Sequence, residues 1–418
     1  MSLITSQKTE YRGVLPYLVI AGLFVISGVG FWNNILLFPK LAQVFGIDFF
    51  HARWIQALYS LGYLVFALPA ALFHRKYGYK IGIMFALALV SVGPFLIYPA
   101  LTQHGVAYFL LAVVLMGAGW SMLETSINPL AVEYGRPETA VRRLNFVQTF
   151  FPVGVVLGYI IGRWFYPSDL HLSFNILAEA AARPYVVVGL AVLFLAFLIE
   201  RVEFPVMSGK RSGGIPQAHS ELRDLLACPS TKIGMAAIFC CIAIQSTLQG
   251  AAYMYVAQQY AGYTDELAQN IVFAGLIIFG LGRFAGTALM GRIDPNRILL
   301  WSMGACLALT VGSWAFGGVM GLACLMATNL CVAIGYPTIF ATTVRDMRSS
   351  ANVASGLLVT ASALAGLVVP LAMNYLIEAT DARVAILMAL PCFPVVYLYI
   401  RHTQKRAGSN QQVPPAAA

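Results

Sequence analysis

Apolar stretches of roughly 17 to 25 residues, each long enough to cross a bilayer as a helix, recur twelve times along this chain. They lie near 15–38, 52–73, 81–100, 106–131, 144–165, 184–200, 233–257, 267–290, 298–317, 319–344, 352–373 and 384–400. Hydrocarbon offers no water to backbone N–H and C=O groups, so stretches like these fold as helices. The pattern predicts an all-α membrane protein with twelve transmembrane helices. Composition agrees, with 10% charged residues against about 25% in an ordinary soluble domain, and a mean hydropathy of +0.77. No basic segment, short apolar core and small-residue cleavage site stand together at the N-terminus, so no removed signal peptide is expected.

The net charge of +9 would suit nucleic acid if it were clustered on one soluble face. Its placement says otherwise. If the N-terminus is cytoplasmic, 20 of the 26 Lys and Arg fall in cytoplasmic segments, among them Arg75, Lys76 and Lys80 in "HRKYGYK", Arg142, Arg143, Arg292 and Arg297. Lys40, Arg53, Arg163, Arg183 and Arg383 are left for the outside. The positive-inside rule puts both termini in the cytoplasm, and a bacterial inner membrane is the expected location. No nucleic-acid partner is expected. The seven cysteines show neither metal spacing nor a disulfide framework, and six lie in apolar segments as small packing residues.

The longest polar stretch, 201–232, lies almost at the midpoint and is rich in Gly, Pro and Ser, so it reads as a cytoplasmic linker. Six spans precede it (1–200) and six follow it (233–400), before a cytoplasmic tail (401–418). The halves echo each other faintly: Pro129 in "ETSINPLAVEYGRPETAVRRL" and Pro337 in "AIGYPTIFATTVRDMRSSANV" are 208 residues apart in a chain of 418. Two pseudo-symmetric six-helix bundles are therefore predicted.

Of the 17 acidic residues, only Glu124 falls inside a predicted span. A carboxylate there costs at least a few kcal/mol on insertion scales and is a functional candidate by default. It can carry a proton, its neutral form crossing the membrane core more cheaply than the anion, or bind polar groups of a solute. The plainer alternative is a structural carboxylate that bonds a neighbouring helix. Pro129 removes the donor for the carbonyl of Thr125 and loosens the backbone beside it. Arg283 is the one basic residue well inside a span, and it either faces a central cavity or tethers helix ends. All six histidines fall in loops or at helix ends. Asn33, Asn34, Asn128, Asn145, Gln148, Gln245, Gln249 and Asn329 add amides that donate and accept at once, as hydroxyl-rich ligands require. Tyr253, Tyr255, Trp32 and Tyr336 lie near them in sequence or spacing. Apolar walls with convergent amides and aromatic faces suit a sugar; the same amides also serve to glue helices.

The segments "NNILLFP", "QALYSLGYLVFALPAALFHRKYGYKIGI", "LETSINP", "RRLNFVQTF", "GRFAGT" and "YPTIF" resemble, in order and across nearly the whole chain, the fucose/glucose/galactose:proton symporter family of the major facilitator superfamily. "LETxxNP" followed by "RLNxxQTF" is a fairly specific pairing that general drug exporters of the superfamily lack. The resemblance implies that Glu124 matches the family's span-4 glutamate, Asn145 and Gln148 its span-5 polar pair, and Gln245 its span-7 glutamine. It also implies that "HRKYGYK" is a conformational clamp between spans 2 and 3, with "GRIDPNR" as a weaker counterpart. Three positions depart from the family. Asn34 stands where an aspartate takes part in proton coupling, Phe151 replaces an amide three residues past Gln148, and Gln249 replaces a tryptophan.

The expected function is secondary transport of a sugar or sugar-like solute by alternating access, with proton symport through Glu124. The candidate substrate residues are Asn33, Asn34, Asn128, Asn145, Gln148, Gln245, Gln249, Tyr253 and Arg283. Alternatives are an uncoupled sugar uniporter and a transporter or exporter of another organic solute such as a siderophore, nucleoside or drug. No metal cluster, nucleophile–base pair or phosphate loop falls within the spans, so no enzyme, metal or cofactor is expected. A monomer is expected, because two such bundles close their own cavity.

Overall fold

The computed structural model describes residues 15–44, 49–103, 105–165, 174–201, 215–260, 262, 264–347 and 350–411. The first half is built from α1 (Leu15–Val44), α2 (Phe49–Tyr77), α3 (Tyr79–Thr102), α4 (Val106–Glu133), α5 (Ala140–Gln148), α6 (Phe150–Phe165) and α7 (Phe174–Glu200). α8 (Ile215–Ala227) lies between the halves. The second half holds α9 (Pro229–Gln259), α10 (Asp265–Leu289), α11 (Pro295–Phe316), α12 (Gly318–Val332), α13 (Gly335–Asp346), α14 (Ala351–Ala379), α15 (Ala382–Ile386) and α16 (Cys392–Gln411).

Among the described residues twelve segments are long and apolar enough to span a membrane, so this is an integral, multi-pass membrane protein. Three spans are each made of two or more helices: α5 with α6, α12 with α13, and α15 with α16. Hydropathy runs unbroken through those joints, so the sequence predicts single helices there. The backbone breaks because Pro152 and Pro337 stand in the first turns of α6 and α13 and cannot donate back to the preceding helix.

Three stretches depart most from the sequence pattern. α7 starts ten residues before the predicted span, at Phe174 rather than 184, as its first turns include the polar and exposed Glu179 and Arg183. The predicted linker contains a helix, α8, whose "SELRDLLA" stretch is amphipathic; Leu225 packs on Val353 and Leu357 of α14. The predicted tail continues α16 as far as Gln411. Lys8, Arg12, His104, His171, Lys210, Arg211, Arg348 and residues 412–418 lie outside the described residues. The seven cysteines are free.

In the first half α4 packs on α2 and α3, α3 on α7, and α1 on α6 and α7. In the second α9 packs on α14, α12 and α16, and α11 and α10 on α12. Across the halves α2 meets α14, α5 meets α13, α4 meets both α13 and α14, and α10 meets α5 and α6. With no hydrophobic drive between helices in lipid, close backbone approach supplies the contact. The α1–α6 crossing shows it: a side chain on Gly28 would collide with the carbonyl of Phe151, and one on Gly154 with that of Val25. A single residue, Gly78 at φ 87°, turns α2 into α3, a left-handed conformation that other residues adopt at a cost. Large apolar side chains such as Trp164, Phe194, Trp301, Val319 and Tyr375 are exposed on the outside, as a lipid-facing surface needs.

α1 starts and α16 finishes at one end of the molecule. That end also carries Arg75, Lys76, Lys80, Arg136, Arg142, Arg143, Arg292, Arg297 and Arg345, and it is termed the basic end below. His74 is in the last turn of α2, as predicted, yet it is fully buried. Its Nε2 lies 3.1 Å from the Met122 carbonyl and 2.9 Å from Ser126 Oγ, which pins α2 to α4. Next to it Arg75 pairs with Glu221 of α8.

Candidate functional site

Midway through the bundle α4 presents Trp120, Glu124 and Asn128 at successive intervals of four residues, so the three share one face. Asn128 Nδ2 donates to Glu124 Oε1 at 3.2 Å. Gln148, at the end of α5, donates from Nε2 to Asn128 Oδ1 at 2.9 Å. Tyr336 of α13 closes the group from the other half: Asn128 Nδ2 also donates to its hydroxyl, at 3.4 Å. Asn128, Gln148 and Tyr336 are buried, whereas Glu124 keeps partial exposure to the interior space. This is a chain of donors and acceptors that ends on a carboxylate.

A second chain runs through the other half. Gln245 Nε2 donates to Gln249 Oε1 at 3.3 Å, and Gln249 Nε2 donates to Asn329 Oδ1 of α12 at 3.0 Å. Asn329 in turn donates to the Met326 carbonyl at 3.3 Å. Tyr253 follows Gln249 by one turn of α9 and is half-buried. Tyr255 is fully buried and bonds the Gly318 carbonyl at 3.3 Å, facing α12.

Arg283 reaches backbone carbonyls of both halves. Its Nε donates to the Ala333 carbonyl at 2.9 Å and its Nη1 to the Gln148 carbonyl at 3.0 Å, while the guanidinium lies 4.7 Å above the Phe279 ring. Its charge also acts on Glu124. Asn145 bonds the Val141 carbonyl at 2.9 Å and Thr338 of the opposite half at 3.3 Å. That places Asn145 at the junction of α5 and α13, near the basic end.

Asn33 and Asn34 are 0% and 4% exposed, and neither amide has a hydrogen-bond partner among the described residues. The same holds for the indole nitrogens of Trp32 and Trp120. Buried polar atoms left open in this way mark a place for water or a ligand. Trp120 was not singled out from the sequence, although it precedes Glu124 by one helical turn. Its indole lies against the backbone of α1 at Gly30, where an added Cβ would be 2.6 Å from Cζ2. α1 and α4 run antiparallel, so Trp120 sits between the Asn33–Asn34 pair on one side and Glu124 on the other.

Contacts between the halves lie toward both ends of the interior. Away from the basic end, Tyr159 of α6 stacks on Phe273 of α10 at 3.9 Å and 13°, and Trp32 meets both rings edge-on at 5.6 and 5.4 Å. Tyr159 also bonds Asn270 at 3.2 Å. Toward the basic end the closure is polar, with Tyr79 bonded to Asn352 in addition to the Asn145–Thr338 pair. Among the described residues no three His, Cys, Asp or Glu gather in a way that could hold a metal.

Two helical bundles around a buried polar centre, closed by contacts between the bundles, describe a carrier. Residues 20–408 match the Major Facilitator Superfamily, and the chain belongs to it. It is similar to the L-fucose-proton symporter of Escherichia coli (strain K12), at 26% identity over 94% of each chain. It is also similar to the glucose/galactose transporter of Brucella abortus, at 26% identity over 94% of this chain and 95% of that one. Among solved structures, FucP in the outward conformation superposes with a TM-score of 0.85 at 26% identity, covering 93% of this chain and 99% of that one.

Proposed function

We propose that this chain is a secondary transporter of a sugar or sugar-like solute, working by alternating access of residues 1–200 and 233–400 about the buried centre. Proton symport runs through Glu124. One observation carries this reading: Glu124 is the only acidic residue, among the described ones, more than a turn inside a membrane span. It heads a chain of neutral amides that can follow its protonation without leaving a charge unpaired. The similarity to an L-fucose-proton symporter and a glucose/galactose transporter supports a monosaccharide as the solute.

In this reading the solute binds between the two amide chains. Asn128 and Gln148 reach it from one half, and Gln245, Gln249 and Tyr253 from the other. The open amides of Asn33 and Asn34 and the indole of Trp120 supply the partners that the protein leaves unmade. Arg283 and Asn145 act at the margin, where the halves touch. The protein works as a monomer in a bacterial inner membrane with both termini cytoplasmic, consistent with the Lys and Arg gathered at the end where α1 starts and α16 finishes.

The test is uptake of labelled L-fucose, D-glucose and D-galactose into proteoliposomes, with and without an inward proton gradient. Gradient-dependent accumulation supports symport. Equal downhill uptake in both conditions means that Asn34, standing where the family has an aspartate, leaves a uniporter. No movement of any of the three turns the reading toward another organic solute.

A further inference from the structure

Four prolines stand where the halves meet: Pro129 inside α4, Pro370 inside α14, and Pro152 and Pro337 in the first turns of α6 and α13. A proline has no N–H, so the carbonyl four residues earlier loses its helical donor. The carbonyls concerned are those of Thr125, Gly366, Gln148 and Ala333. Each of the four accepts a side-chain bond instead. Ser355 Oγ reaches the Thr125 carbonyl at 3.3 Å, Ser60 Oγ the Gly366 carbonyl at 3.4 Å, and Arg283 the carbonyls of Gln148 and Ala333 at 3.0 and 2.9 Å. Three of these four bonds cross from one half to the other.

The serines make the pattern informative. A helical hydroxyl in a membrane ordinarily bonds back to its own i−4 carbonyl. Ser27, Ser91, Thr125, Ser126, Thr310 and Thr360 all do so here. Ser60 and Ser355 instead reach across to the opposite half, each to the one kind of carbonyl that has no donor of its own.

We propose that Ser355, Ser60 and Arg283 are positioning residues that fasten the two halves together through carbonyls left open by proline. Ser355 and Arg283 join the halves beside the buried centre, and Ser60 joins them in the middle of the α2–α14 contact. Such a bond suits a part that must separate repeatedly. When the halves part, water entering the cleft takes over both the hydroxyl and the carbonyl, so neither is stranded unsatisfied. The inference rests on the two halves moving against each other, but it needs no transported solute for its test.

The experiment is amide hydrogen exchange by mass spectrometry on the purified full chain in detergent. Ser355→Ala is expected to raise exchange in α13 and the first turns of α14 by roughly two- to tenfold, the range for loss of one ordinary hydrogen bond. Pro129→Ala gives the Thr125 carbonyl a helical donor that competes with Ser355 Oγ and should raise it by less than Ser355→Ala does. The double variant should exchange no faster than Ser355→Ala alone, because without the hydroxyl there is no bond left to weaken. Ser355→Thr, which keeps the hydroxyl, should return to the wild-type rate. The pair Ser60→Ala and Pro370→Ala should behave alike in the middle of α2 and α14. Effects of Ser355→Ala and Pro129→Ala that add, or an unchanged rate in Ser355→Ala, would overturn the proposal. Because exchange is read without a sugar, its outcome is separate from that of the uptake experiment.

Discussion

The two amide chains are built from the same chemistry and finish differently. Gln148 and Asn128 lead to the Glu124 carboxylate, whereas Gln245 and Gln249 lead to the Asn329 amide and then to a backbone carbonyl. One chain can therefore change its charge and the other cannot. A buried network is stable only if every member stays satisfied. Amides meet that condition around either protonation state of Glu124, since they donate to the anion and accept from the acid. On the proposed function, the proton then belongs to the first half and the second half is left with recognition alone.

The largest effect should come from Glu124→Gln, which removes the proton site but keeps the hydrogen-bonding shape. Accumulation driven by a proton gradient should be lost while exchange of labelled sugar across the proteoliposome persists. If exchange is lost as well, Glu124 also binds the solute and the assignment of roles must be redrawn. Next in size is Asn128→Ala, which strips Gln148 of its acceptor and Glu124 of its donor. An unsatisfied buried group costs about 1–3 kcal/mol, so apparent sugar affinity should weaken by roughly ten- to a hundredfold.

Gln249→Leu sharpens the contrast from the other side. It interrupts the second chain and should raise KM by about tenfold, with the ratio of protons to sugar unchanged. A changed ratio would mean that the second chain takes part in coupling. The smallest effect is expected from Trp120→Phe, which keeps a ring against Gly30 and loses the indole N–H. That N–H has no partner among the described residues, so the thermal midpoint should hold while protection by sugar weakens a few-fold, as befits one hydrogen bond. A lower midpoint without sugar would make Trp120 a packing residue.

Much of this could be read from the chain itself. The spans follow from length and hydropathy, because the bilayer leaves helices few alternatives. Glu124 stands out because charge in hydrocarbon is costly, and Asn128 follows from it by the spacing of one helical turn. Tyr336 and Thr338 could not be attached to that group in advance, because they come from the opposite half, 208 residues after Asn128 in the case of Tyr336. The breaks at α5–α6 and α12–α13 were hidden by continuous hydropathy, and α8 by the Gly, Pro and Ser residues before it. Spacing alone leaves Arg283 between two roles, since it does not show which carbonyls a guanidinium will find.

The aromatic closure away from the basic end gives the molecule its own optical reporter. Trp32 is 2% exposed and packed edge-on against Tyr159 and Phe273. In the closed form its ring is shielded from bulk water by those two side chains. Parting of α6 from α10 admits water to that ring and shifts its emission to longer wavelength. With the other five of the six tryptophans replaced by phenylalanine, the opening of this end can thus be timed in the light of one side chain that the protein already carries.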